Sequence, residues 1–270
     1  MLDLPFDPDI ILFGTRVLAW HSFFAIAGML VGVWLAVRLL RSRVPEDRAY
    51  TIAAWAVASG FVGARLLHVL ERWDVFLADP LRVAAVWDGG MSILGAVIGG
   101  FSAVALVSLR LSAPVGFVLD ASGAVAGIGM GIGRIGDIVN GEHHAAACAG
   151  LPWCVRYTNA NTLGQRDYVH PAVAYEMLLD LGIATLLLWL RPRVAGRTPE
   201  GRLLWLFLVL YSIGRFFISF LRLDPLVFAG LREAQLVSVA LAVLALVMLG
   251  YLGGRRRQIL AARERSSQSG

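Results

Sequence analysis

The chain has 270 residues, 58% of them apolar and only 16% charged. A water-soluble domain carries about 25% charged residues, so this balance, gathered into apolar runs of about 20 residues, excludes an ordinary soluble enzyme and reads as a polytopic membrane protein. The formal net charge of +5 comes from 24 arginines against 19 acidic residues, with no lysine. A basic balance can signal nucleic acid, but these arginines sit in short loops between apolar runs, which excludes nucleic acid as the partner.

The first residues, MLDLPFDPDI, are acidic and lack a basic n-region. They do not read as a cleavable signal peptide, so the first apolar run is expected to target the membrane. Seven runs are predicted to span, at residues 17–40, 51–70, 91–111, 115–134, 172–190, 202–221 and 234–252. They are continuous rather than alternating, which favours helices over a barrel. The expected fold is an all-α integral membrane protein of about seven transmembrane helices with an outer-side loop region. Residues 1–270 form a single polytopic membrane domain, with 136–171 as its longest loop and 253–270 as a basic tail.

Arginine sets the orientation. Fourteen of the 24 arginines fall in one set of loops and the tail, among them Arg38, Arg41, Arg43, Arg191, Arg193, Arg197 and Arg255 to Arg257. The positive-inside rule makes that side cytoplasmic. The N-terminus is then periplasmic, the tail cytoplasmic and loop 136–171 periplasmic, in a bacterial inner membrane. That loop carries both cysteines, Cys148 and Cys154. A bridge and two unpaired thiols are both open in an oxidising compartment. No cysteine or histidine spacing resembles a zinc site.

The stretch GIGMGIGRIGDIVNGEHH, residues 127–144, contains GIGRIG at 131–136. This matches the glycine pattern of dinucleotide-binding loops, but that loop needs a strand before it, a helix after it and an acidic residue about 20 positions on. Here the pattern closes an apolar segment and position 156 is Arg. Gly123, Gly127 and Gly131, like Gly129 and Gly133, recur every four residues, a spacing that lets membrane helices approach closely. The glycines therefore read as packing. Arg134 does not: it ends an apolar run and is followed by Asp137, Asn140 and Glu142. Arg65 and Arg215 also lie in apolar runs. Charges at such depth mark function or satisfied pairs. Three arginines near carboxylates and amides favour a polar cavity over structural ion pairs. Guanidinium is a fork suited to phosphate, and the phosphate at this depth is a phospholipid headgroup.

With these residues in view, the chain resembles the prolipoprotein diacylglyceryl transferases of bacterial inner membranes along nearly its whole length. WDGGMS (87–92) resembles the family's Asp-Gly-Gly-Met-Ser segment, and GRIGDIVNGE (133–142) its signature Gly-Arg-x-Gly-Asn-Phe-x-Asn-x-Glu. GLPW (150–153) and HPAVAYE (170–176) look like its outer-loop segments. YSIGRFFISFLR (211–222) resembles its sixth-helix arginine motif, and EAQLVS (233–238) the start of its last helix. The resemblance implies transfer of the diacylglyceryl group from phosphatidylglycerol to the lipobox cysteine of a prolipoprotein signal peptide, with a thioether formed, glycerol phosphate released, and no metal or soluble cofactor. It implies that Arg134 and Arg215 bind and polarise the phosphate, and that Asn140 and Glu142 are the signature's polar residues. Candidate phosphatidylglycerol contacts are Arg134, Asp137, Asn140, Arg215, Arg65, Gly89 and Gly90. Candidate catalytic groups are Arg134, Arg215, Glu142 and His21.

Four positions depart from the family pattern. Leu94 stands where the family has a histidine, Asp137 where it has the first signature asparagine, His21 where it has a first-helix tyrosine, and Ser219 where it has a glutamate. One reading is an active, divergent transferase in which His21 serves as base, since the thiolate is the nucleophile and histidine is the usual base near neutral pH. The other is a paralogue that keeps the lipid cavity and has lost or changed the reaction, with Asp137 competing for Arg134. His143 and His144 are adjacent and poorly placed to share one metal. His170, Tyr175 and Glu176 read as structural, and Asp88 as a turn or helix cap.

Overall fold

The computed structural model describes the chain except residues 13–14, 86–89, 196–198 and 269–270. Asp88, Gly89 and Arg197, singled out above, lie outside the described residues. In chain order, strands β1 (Leu2–Leu4), β2 (Asp9–Leu12) and β3 (Thr15–Ala19) lead into helix α1 (Trp20–Leu40). Then come α2 (Glu46–Glu71), the short α3 (Trp73–Ala78), α4 (Ile93–Arg110), α5 (Val115–Asn140), strand β4 (Val155–Tyr157), α6 (Ala172–Val194) and α7 (Arg202–Ile218). Strands β5 (Leu226–Phe228) and β6 (Leu231–Arg232) and helix α8 (Glu233–Gln268) complete the described chain. Six of these helices are long and apolar enough to cross a membrane, and the shorter apolar α4 makes about seven spans. The expected all-α multi-pass architecture is therefore what the chain adopts.

Local chemistry explains the helix ends. Pro45, Pro114 and Pro171 each stand immediately before a helix, where a missing N–H costs nothing. The first turn of α2 carries Glu46 and Asp47 against its N-terminal dipole. Helix α5 runs six residues beyond the predicted boundary at 134. It stops at Gly141, whose φ of 73° is the left-handed conformation that ends helices and that glycine adopts without strain. Gly141 N–H and Glu142 N–H both donate to Asp137 O, at 3.0 and 3.1 Å, closing the last turn. The extension places Arg134 and Asp137 on one helical face.

The chain divides into two compact units. One comprises Val33–Ser122. In it α2 and α4 cross at contact distance because Gly63 and Gly95 face each other: a Cβ on either would collide with the other's carbonyl oxygen. Val37, Leu40, Val44, Ile52, Val104 and Val118 form its buried core. Arg65 is buried there. Its Nε donates to Val83 O at 2.8 Å, Nη1 to Gly90 O at 2.9 Å, and Nη2 to Ala85 O at 3.2 Å and to Arg82 O.

The other unit comprises Met1–Gly32 and Gly123–Gly270. The glycine row of α5 works as packing here. Gly127 lies against α6, where a Cβ would be 2.8 Å from Asp180 O, and Gly136 lies against α1, where it would be 2.6 Å from His21 Cα. Ile183, Leu187, Leu203 and Phe207 fill the α6–α7 core. The loop between α5 and α6 is ordered by β4, which pairs in parallel with β1, Leu2 opposite Val155 and Leu4 opposite Tyr157. Ala145, Val155, Tyr157, Val169 and Ala172 form a small core under that pair. Cys148 and Cys154 are joined as a disulfide, Cα atoms 5.7 Å apart.

Candidate active site

The last turns of α5 and the loop after them assemble a polar cluster within the second unit. Arg134 Nη1 donates to Asp137 Oδ2 at 3.0 Å, and Nη2 pairs with Glu176 Oε2 at 2.9 Å. Glu176 lies in the first turns of α6 and is 2% exposed. Its Oε1 accepts from Arg222 Nη1 at 3.0 Å and touches Arg215 Nη1. One buried carboxylate thus bridges three guanidiniums from α5, α7 and the turn after α7. Arg222 is anchored further: Nε and Nη2 donate to Asp224, at 2.7 and 3.1 Å, and Nη2 donates to His143 Nδ1 at 2.9 Å.

Asp137 also reaches α1. His21 Nδ1 is 2.6 Å from Asp137 Oδ1 and 3.7 Å from Glu142 Oε1. A carboxylate at that distance assigns the proton to Nδ1 and leaves Nε2 as the acceptor. Asn140 Nδ2 donates to Glu142 Oε1 at 2.7 Å. The helix end that carries these groups is tied down by Thr162 Oγ1, which donates to Asn140 O at 2.7 Å, and by Tyr157 OH, which donates to Ile138 O at 2.9 Å.

Three groups outside the spans and next to this cluster are shifted. Withdrawal from water, then the positive charge of Arg222, pushes the His143 imidazole down to about 4. Its Nδ1 is thereby kept as a neutral acceptor for Arg222. Burial, the largest single influence, would raise Asp224, but the Arg222 hydrogen bond together with the positive charges of Arg222 and Arg215 holds the carboxyl below its ordinary value. Burial pushes Tyr157 up to about 12, so its hydroxyl stays a donor.

His21, Asp137, Asn140, Glu142, Arg134 and Arg215 therefore belong to one connected network. Arg65 lies in the other unit, where its guanidinium is engaged by the carbonyls of Arg82, Val83, Ala85 and Gly90. Gly90, also in that unit, has φ 80° and lies against the His68 ring. Gly89 lies outside the described residues. Glu176, read from sequence as structural, and Arg222, given no role there, are central. The signal was there: Glu176 is a carboxylate in an apolar run, and Arg222 follows Arg215 by seven residues, two helical turns. Asp180, one turn beyond Glu176, is 1% exposed with neither oxygen hydrogen-bonded.

The ligand atoms of His21, Asp137 and Glu142 lie within 4.8 Å of one another and could hold a cation. Each is already satisfied otherwise, Asp137 by His21 and Arg134, and Glu142 by Asn140. The arginines set the chemistry instead. Fixed guanidiniums in a water-poor site stabilise charge developing on an oxyanion, and an imidazole oriented through Nδ1 can take a proton at Nε2.

Fold and site together define a multi-pass membrane protein with a buried arginine–carboxylate centre at one end of its helices. The family model described as prolipoprotein diacylglyceryl transferase matches residues 8–251, and the chain belongs to that family. It is 35% identical over 253 residues to the phosphatidylglycerol–prolipoprotein diacylglyceryl transferase of Gloeobacter violaceus, covering 92% of this chain and 93% of the relative. It is 31% identical to the proteins of the same name from Synechococcus elongatus, covering 93% and 89%, and from Streptococcus agalactiae, covering 93% and 97%.

Proposed function

We propose that the chain transfers the diacylglyceryl group of phosphatidylglycerol to the cysteine thiol in the signal peptide of a prolipoprotein. The observation that carries this is the continuous contact from His21 through Asp137, Arg134 and Glu176 to Arg215. A proton acceptor and a pair of phosphate-binding forks are joined in one place. His21 Nε2 takes the thiol proton. The sulfur attacks the glyceryl carbon that bears the phosphate oxygen. The carbon–oxygen bond breaks, the carbon–sulfur bond forms, and the electron pair leaves with glycerol phosphate. Arg134 and Arg215 hold the phosphate and stabilise that charge. Asp137 fixes the His21 ring and flanks the headgroup beside Arg134. Glu142 and Asn140, hydrogen-bonded to each other, face the headgroup hydroxyls. Arg65, Gly89 and Gly90 are proposed as further contacts to the lipid, Arg65 holding the Gly90 carbonyl. Both substrates bring their own reacting groups, so the reaction calls for no metal or soluble cofactor, and no nucleic acid takes part.

The arginine bias and the disulfide in the 136–171 loop, which fits an oxidising compartment, support a bacterial inner-membrane protein of one polytopic domain, with the N-terminus and that loop periplasmic and tail 253–270 cytoplasmic. The test is transfer itself: protein in phosphatidylglycerol vesicles with a peptide bearing a lipobox cysteine, the thioether product sought by mass. The native chain is expected to form it, and Arg134→Ala to form none. His21→Ala should fold, insert and lose about 10²–10⁴ in rate, the usual contribution of a general base. No product from the native chain would overturn the reading, and an active His21→Ala would remove His21 from the mechanism.

A further inference from the structure

The outer end of the second unit contains a cavity of about 440 Å³ to which the steps above assign no occupant, although Glu142 lies on its edge. Its floor is the first turns of α6, at Ala174 and Leu178, and its roof is the β1–β4 pair. Glu142 and His143 form one wall, and these two residues also touch the arginine–histidine network, Glu142 at His21 and His143 at Arg222. At the mouth stands Trp153, 48% exposed although large and apolar. It is held there from two sides. Its Nε1 donates to Tyr175 OH at 2.8 Å, and the adjacent Cys154 is buried and bridged to Cys148. An aromatic ring pinned at a pocket mouth is the usual form of a binding anchor.

We infer that this cavity is the subsite for the apolar residues that flank the acceptor cysteine, and that it sets acceptor specificity in the reaction proposed above, on which the inference rests. Continuity places the occupant. The wall begins at Glu142, whose Oε1 is 3.7 Å from His21 Nδ1. An extended peptide advances about 3.3 Å per residue, so a cysteine at His21 puts side chains two or three residues away inside the pocket. Charge agrees. The described lining includes no arginine or lysine and is mostly apolar, which suits a neutral apolar segment and not a phosphate. The roof is outer-loop structure whose exposed face carries the Asp3–Arg156 pair. A water-facing roof fits a peptide arriving from the loop side better than an acyl chain, which belongs in the bilayer.

The experiment uses the full chain in phosphatidylglycerol vesicles and lipobox peptides in which each of the three residues before the cysteine is cut in turn to Ala. Native protein should prefer a bulky apolar residue at one of these positions. Ala174→Trp, which fills the cavity, and Trp153→Ala, which opens its mouth at an exposed site, should raise the peptide KM about tenfold or more and abolish the preference. The phosphatidylglycerol KM should stay within about twofold. Photo-crosslinking from Leu178→benzoylphenylalanine should label the peptide. A changed phosphatidylglycerol KM or acyl-chain preference with an unchanged peptide KM would overturn the inference in favour of an acyl-chain pocket. Unchanged values for both, or no peptide crosslink, would also overturn it. A chain that crosslinks the peptide but makes no thioether would sink the transferase reading and leave the subsite standing.

Discussion

Replacing Glu176 with Gln isolates the centre of the cluster. Gln keeps the size and one acceptor oxygen but removes the charge that Arg134, Arg215 and Arg222 share. At about 3 Å and an effective dielectric of about 20, each contact is roughly 5 kcal/mol of attraction. Desolvation cancels much of that. The net effect of removing one partner from a buried pair is about 3–5 kcal/mol, because the remaining charge is left uncompensated. Here three cations are left rather than one, with Asp137 and Asp224 as partial relief for Arg134 and Arg222. At about 2–4 °C per kcal/mol for a chain of this size, Glu176→Gln should lower the Tm in detergent by on the order of 10 °C. Phosphatidylglycerol should restore the variant more than it stabilises the native chain, since its phosphate supplies the missing charge. Thermal unfolding followed by tryptophan fluorescence, with and without the lipid, reads both effects. A Gln variant that unfolds at the native temperature would refute the assignment of Glu176 as the shared counterion.

Arg134→Gln should lower kcat by about 10²–10³, the cost of losing one preorganised donor to a developing anion. Arg134→Lys should recover only part of it, since an ammonium lacks the planar fork; the peptide transfer assay measures both. His143 should titrate near 4 by NMR, and Arg222→Gln should raise it only part of the way back, since burial is the larger cause and remains. The folded pKa lies below the unfolded one, so the contribution of His143 to stability is complete above about pH 6.5, falls as pH drops toward 4 and is constant below that. His143 keeps part of its surface in solvent although its Nδ1 edge is covered by Arg222, so screening makes the fall smaller than the full shift would give. Gly136→Val should cut transfer while phosphatidylglycerol binding persists, because the new side chain displaces His21 on α1 and leaves Arg134 in place. Cys148→Ser should cost about 2 kcal/mol by freeing a short loop, visible as faster proteolysis between residues 145 and 155 with the helices intact.

How much was legible follows from the range of each interaction. The spans were readable because a bilayer imposes length and apolarity on every crossing segment, and α1, α2, α4, α5, α6, α7 and α8 fall on the seven predicted runs. The end of α5 was not readable from hydropathy, since Asp137, Asn140 and Gly141 are polar or small; the left-handed glycine at 141 and the i, i+3 pair of Arg134 with Asp137 decide it. Arg134 and Arg215 were found because a lone charge in an apolar run is costly. By the same argument Glu176 needed a cation partner, yet which cation lies 39 or 46 residues away in sequence is a tertiary fact. Arg65 shows the converse: its burial was readable, but its satisfaction by backbone carbonyls is written only in the fold.

The departures from the family pattern gain a physical meaning once distances are known. Taken singly, a tyrosine replaced by His21 and an asparagine replaced by Asp137 are two losses. In the fold the two are one hydrogen-bonded pair, 2.6 Å apart. An imidazole beside an asparagine would lack the charge that stabilises its protonated form, and a carboxylate beside a tyrosine would need another cation. Together each supplies what the other requires, and the chain that lacks a histidine at position 94 thereby holds one, with its orienting carboxylate, on α1. His21→Tyr combined with Asp137→Asn should therefore leave a stable fold with no base at this position. A double variant that keeps native transfer rates would place the thiol's proton acceptor elsewhere.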